Sequence, residues 1–236
     1  MSPGGPVGWL DPASVADAGA YLVRLVRLDP AALVRLRPAG DGASQLWARL
    51  PFEVLVTRRI RAAVAEDATV RAADLLAAVA AGADRLPARH DTAWIWPVPP
   101  GAGRVVERLP ATEVRRLGAA AAATLREAAA GGVRGRAVAE RALRDALLDH
   151  VAVVVVTDDG ARIEVSQRLV QAVVRMGFVG SDPAGAAVRP AGGSAVGADV
   201  GPDVKVRIAA GWVGLAGSFG SGWCKVSTSL DVRPVP

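Results

Sequence analysis

Six consecutive apolar residues, VAVVVV at 151–156, run into the turn signal Asp158-Asp159-Gly160 and then into RIEV at 162–165. A short run dominated by β-branched side chains is a strand rather than a helix, and an unbroken apolar run predicts a strand covered on both faces. Asp-Gly closes a tight hairpin, so Arg162–Val165 is its partner strand. A helix precedes the hairpin over 137–149, with Ala139, Ala142, Leu143, Ala146 and Leu147 on one side. Its pairs Glu140/Arg144 and Arg141/Asp145 make an ordinary solvated face. Ser166 caps a helix after the hairpin, with Leu169, Val170, Val173 and Val174 as its stripe and Gly177 as its stop.

The rest of the chain carries the same mixture. Asp11 and Pro12 open a helix whose stripe is Val15, Ala18, Leu22 and Leu25, and Asp29-Pro30 ends it. LVRLR at 33–37 alternates, with Val34 and Leu36 on one face and Arg35 and Arg37 on the other. AGDGAS and the strand-rich 45–60 complete a hairpin interrupted at Pro51. Thr69 is expected to open a helix with Ala73, Leu76 and Ala80 on one side, Trp94-Ile95-Trp96 a short strand, Val105-Val106 another, and Thr112 to cap a helix reaching Ala130. Residues 204–230 regain strand character in KVRI, GWVGL and WCKVS. No internal repeat is visible.

The fold class is therefore α+β, mixed helices and short antiparallel sheets in two subdomains. The expected division is an N-terminal subdomain at 9–96 and a central one with a basic helix at 104–180. A Gly/Ala/Pro-rich linker at 181–203 and a β segment at 204–232 packing on the central subdomain follow. With 51% apolar and 22% charged residues, 236 residues can bury a real core. No apolar run reaches the ~18–20 residues that span a bilayer, and the N-terminus lacks the basic and apolar regions of a signal peptide. The single cysteine, Cys224, offers no internal disulfide. These features predict a cytoplasmic protein with no membrane partner.

The net charge is +5. Lys205 and Lys225 are the only lysines, so the excess is arginine, part of which reflects the codon bias of GC-rich DNA. Residues 101–180 are the most basic stretch, with 12 basic against 9 acidic side chains.

No motif in the chain names a reaction. His90 and His150 are far apart and not set among cysteines, so no metal is implied. Both lysines precede valine, which excludes a P-loop. GSFGSGW at 217–223 lacks nucleophile-elbow spacing. No cofactor is implied. Cys224 reads as a small apolar strand residue. His90-Asp91 and Asp149-His150 are adjacent acid–imidazole pairs, but sequence neighbours do not face each other in regular structure.

Three constellations point to binding. Gln167, Arg168, Gln171 and Arg175 fall opposite the apolar stripe of their helix, and Gln and Arg are side chains that read base edges or hold phosphates. Arg58, Arg59 and Arg61 form a second basic cluster. Trp94 and Trp96, beside PVPP, share one side of their segment and offer an aromatic surface to a protein partner. Trp212 and Trp223 flank a Gly-rich stretch and read as core. The expectation is a non-enzymatic binding or regulatory protein associated with DNA or RNA through the Arg/Gln helix face. The alternatives are a protein–protein scaffold using the Trp/Pro segment, and a small-molecule or nucleotide-handling enzyme without a recognisable motif. The apolar strand material also predicts a homodimer.

Overall fold

The computed structural model describes residues 8–130, 137–180 and 203–226. Asp11 accepts a hydrogen bond from the Ala13 amide, and the 3-10 turn Pro12–Ser14 leads into α1, Val15–Leu28. Three antiparallel strands follow, β1 Leu33–Pro38, β2 Ala43–Arg49 and β3 Leu55–Arg61, with Pro51 in the turn between the last two. Then come β4 Ala68–Arg71, α2 Ala72–Ala80, β5 Arg104–Pro110, α3 Ala111–Ala130, α4 Ala137–Asp149, β6 Val151–Val156, β7 Arg162–Ser166, α5 Gln167–Arg175, β8 Asp203–Ala209, β9 Trp212–Gly217 and β10 Gly220–Lys225. The class is α+β, as expected.

Eight strands make one sheet in the order β4-β1-β2-β3-β10-β9-β8-β5, and β6 and β7 form a separate two-stranded ribbon. The order is palindromic about the antiparallel β3–β10 pair. On one side α1 feeds the meander β1-β2-β3, and on the other α5 feeds β8-β9-β10. The chain thus repeats a helix-plus-meander unit that its sequence does not display. The last three strands pair with β5 at one edge and with β3 at the seam, so they join both halves of the chain rather than one.

The helices cover one face of the sheet. Ala18, Tyr21, Leu22 and Leu25 of α1 and Leu169, Val170, Ala172 and Val173 of α5 are buried there, against Val34, Leu36, Leu46, Val56, Val206 and Leu215 of the strands. Burial of the valine and leucine side chains among these contributes roughly 1.5–3 kcal/mol each. Gly177 (φ 70°) takes the left-handed conformation that ends α5, and the Phe178 amide bonds back to the Val173 carbonyl at 2.9 Å.

Several expectations are corrected. VAVVVV is a ribbon strand, not a doubly covered one: only Val155 is buried, and Val156 is 68% exposed, because β6 has a single strand partner and packs one face on α5. Thr69 lies in β4, paired with Arg35 of β1, so sheet pairing overrides the helix signal. α2 therefore starts later and buries Ala72, Leu75 and Val79 instead of Ala73, Leu76 and Ala80. Trp94-Ile95-Trp96 is not a strand; a 3-10 turn, Asp91–Ala93, precedes it. The expected linker, apart from Asp203, lies outside the described residues. Among the described residues, no helix is long and apolar enough to cross a membrane.

Candidate functional site

The face of the sheet away from the helices has a composition of its own. Strand alternation turns Arg35 and Arg37 of β1 toward it, with Gln45, Trp47 and Arg49 of β2 and Leu55, Thr57 and Arg59 of β3. Ser221, Trp223 and Lys225 of β10 and Lys205 and Arg207 of β8 face the same way. One cross-strand row reads Arg35, Trp47, Thr57, Ser221, Ala216, Lys205, and the next reads Arg49, Leu55, Trp223, Gly214, Arg207. At ~4.8 Å per strand spacing, the six-strand row crosses about 24 Å.

Indoles form the floor. Trp47, Leu55, Trp94, Trp212 and Trp223 make a second apolar cluster, separate from the core under the helices. Trp223 lies flat on Gly214, where a Cβ would sit 2.5 Å from the indole. Trp94 donates from Nε1 to the Trp96 carbonyl at 2.7 Å, and the two rings meet edge to face with centroids 5.3 Å apart. The 94–98 segment is thereby folded onto the sheet, with Ile95 left 77% exposed. A pocket of about 210 Å³ opens between Trp96, Pro97, Leu55 and Trp212, rimmed by Arg49, Glu53 and Lys225.

Some of the cations over this floor are held. Arg35 and Arg37 share Asp67 at 2.6 and 3.2 Å. Arg49 pairs with Glu53 at 2.9 Å and lies over the Trp96 ring. Lys225 lies over Trp212, and Arg207 donates to the Ala102 carbonyl at 2.7 Å. At the β4 edge Arg89 bridges Glu66 and Asp91. The Thr69 amide donates to the Asp91 carboxylate, and this bond, aided by Arg89, holds Asp91 below the usual carboxylate range. Arg59, Arg71 and Lys205 make no ion pair among the described residues.

The Arg/Gln face of α5 does not look outward as a whole. Gln167 and Gln171 are buried and donate to the Leu117 and Gly118 carbonyls of α3 at 3.3 and 2.7 Å. The reason is that α5 is sandwiched: the sheet takes its apolar stripe and α3 covers the side that isolated-helix geometry would give to solvent. Arg168 donates to the Phe52 carbonyl at 2.9 Å and pairs with Asp149. Only Arg175 is exposed, with its guanidinium 6.0 Å from the Phe52 ring centroid. The second cluster is split by strand alternation. Arg58 points to the helix side and pairs with Asp17 at 2.5 Å, Arg61 lies near Asp11 at 3.5 Å, and Arg59 stands on the open face.

The acid–imidazole neighbours are not dyads. Asp91 serves the Thr69 amide and Arg89, and Asp149 serves Arg168. Burial pushes the Cys224 thiol up to about 12, which leaves it protonated and weakly nucleophilic near neutrality. The open face depends on residues that the sequence did not single out as a site: Trp47, Arg49, Thr57, Lys205 and Ser221. The alternation of Arg35 and Arg37 was the one signal of it in the chain.

Residues 98–229, more than half of the chain, match the family model described as "Domain of unknown function (DUF8185)". The chain belongs to this family. In this DUF8185 protein a second model, "Domain of unknown function (DUF8010)", matches residues 6–96. The two matches meet at Pro97, the start of the Pro/Gly-rich stretch PVPPGAG at 97–103, which agrees with two parts, although the eight-stranded sheet is shared between them. No curated protein matches the sequence. Among solved structures the fold is similar to a DNA polymerase sliding clamp from Pseudomonas aeruginosa crystallised with a ligand. The TM-score is 0.51 and the identity 11%, and the match covers 94% of this chain and 64% of that one. The chain thus spans less than two thirds of that clamp's length, and the likeness is one of fold alone.

Proposed function

We propose that this protein is a non-enzymatic binding protein that holds a nucleic acid on the open face of its sheet. The observation that carries the reading is the lateral run of cations from Arg71 and Arg35 through Arg59 to Lys205 and Arg207, of which Arg59, Arg71 and Lys205 have no ion-pair partner among the described residues. Phosphates set along a backbone suit such a surface, and their neutralisation releases counterions. The indoles beneath are buried, Trp47 being 4% and Trp223 3% exposed, so they are not platforms for base stacking. Binding is accordingly to the backbone and indifferent to sequence. Likeness to a protein titled a DNA polymerase sliding clamp supports a binding role in general terms.

The test is electrophoretic mobility shift with a salt titration on wild type and on Arg59→Ala/Arg71→Ala/Lys205→Ala. Binding that weakens steeply with salt, and more gently in the variant, supports the reading. No retardation at low salt removes it.

A second reading rests on Ile95, Trp96 and Pro97. Exposed Ile95 beside the pocket at Trp96 offers an apolar lip, flanked by Arg49 and Lys225, to an acidic protein segment. We also propose self-association through the ribbon, where Val154 and Val156 are exposed.

A further inference from the structure

Where β3 runs past the start of β10, a cavity of about 300 Å³ is lined by Gln45, Thr57, Arg59, Ser218, Ser221, and the Asp17–Arg58 pair with the Phe219–Gly220 turn. Its chemistry is unusual in how its polar groups are spent. Trp47 donates from Nε1 to Gln45 Oε1 at 3.0 Å, and Trp223 donates from Nε1 to Ser221 Oγ at 2.9 Å. An indole N–H is only a donor, so each bond occupies an acceptor and leaves the Gln45 amide N–H groups and the Ser221 hydroxyl hydrogen to be given elsewhere. Thr57 lies directly opposite Ser221 across the seam. It is 8% exposed, and its buried Oγ1 has no hydrogen-bond partner.

Charge points the same way. Asp17 is neutralised by Arg58 at 2.5 Å, and Arg58 also donates to the Phe219 carbonyl and lies over the Phe219 ring. Its buried Nε still lacks a partner. Arg59 adds a positive charge with no carboxylate partner among the described residues. The cavity therefore presents converging donors from β2, β3 and β10 with a surplus of one positive charge and unsatisfied groups at its wall. A buried polar group left unpaired is costly, and an anion's oxygens accept from such donors.

We propose that this seam cavity is a binding site for a phosphate group. Donors arriving from three strands match a tetrahedral oxyanion better than a planar carboxylate, which one arginine fork would satisfy. The volume sits at the lower end of small-molecule pockets, so the phosphate can carry a small organic group, as in a phosphate monoester. The site is discrete and does not depend on the polyanion reading, since a free phosphate needs none of the cations along the rest of the face.

Isothermal titration of the full chain with inorganic phosphate, and with a nucleoside monophosphate against its unphosphorylated nucleoside, tests this. Wild type is expected to bind phosphate and the monophosphate but not the nucleoside. Arg59→Ala, at an exposed position, should weaken phosphate about tenfold or more while leaving the circular dichroism spectrum unchanged. Ser221→Ala and Thr57→Val should each weaken it several-fold, whereas Asp17→Asn, which frees Arg58, should tighten it. Wild type that ignores phosphate, or Arg59→Ala that binds it as wild type does, overturns the assignment. If the monophosphate binds tightly and inorganic phosphate weakly, but both depend on Arg59, the occupant is a monoester, and the assignment stands.

Discussion

Tyr21 of α1 and Phe178, just beyond α5, stack with ring centroids 6.3 Å apart and planes within 7°. They bring together the two helix-plus-meander units on the covered side of the seam. The Tyr21 hydroxyl donates to the Val56 carbonyl of β3 at 3.3 Å, and complete burial raises its pKa. Phe178→Ala should cost about 3–5 kcal/mol in urea unfolding, because the cavity opens between the halves. Tyr21→Phe keeps the stack and removes one hydrogen bond, so about 0.5–1.5 kcal/mol is expected. Equal losses from the two would show that the hydroxyl, not the stack, joins the halves.

Gly214 makes a sharper steric test. Alanine there places a methyl against the Trp223 ring, and the neighbour is a rigid indole packed in its own cluster. Gly214→Ala should destabilise by about 1–3 kcal/mol and alter tryptophan fluorescence. Gly211→Ala meets no neighbour but sits at φ 71°, so its cost is backbone strain alone and it should leave the tryptophan fluorescence unchanged.

The acid limb of stability should report Asp91. Its folded pKa is depressed by the Thr69 amide first and by Arg89 after it. The unfolded chain therefore binds the proton more readily. The stabilisation is present above the ordinary carboxylate pKa and disappears as pH falls through the lower folded value. Asp91→Asn should lower the midpoint at neutral pH and narrow the gap to wild type in acid. A constant gap at every pH would falsify this account.

On the nucleic-acid reading, Arg59→Ala/Arg71→Ala/Lys205→Ala should reduce the log–log salt slope by roughly two to three, near one per lost phosphate contact. The arginines of α5 behave differently from one another. Arg175→Ala should stay within about 0.5 kcal/mol of wild-type stability. Arg168→Ala strips the Phe52 carbonyl and Asp149 of a shared donor and should destabilise by more than that. If Arg168→Ala is neutral for folding, its contacts are surface pairs of no consequence.

Val156→Lys on the ribbon should shift any dimer toward the monomer in light scattering. A wild-type protein that is monomeric at micromolar concentration removes the self-association proposal.

The positions of most helices and strands, and the α+β class, followed from local rules: Asp11-Pro12 at a helix start, alternation in LVRLR, Asp158-Asp159-Gly160 between strands, Gly177 at a helix end. Those signals act within a few residues, and the chain carries them wherever it goes. What lay beyond them was decided by partners distant in sequence. Thr69 became a strand residue because β1 was there to pair with it, and Gln167 and Gln171 were buried because α3 lay over them. The pairing of Thr57 with Ser221 across the seam assembles the candidate phosphate site from residues that are each unremarkable alone. Amphipathic pattern determines which side of an element is apolar. Which of its polar side chains meets solvent depends on what packs there, and only the tertiary structure supplies that.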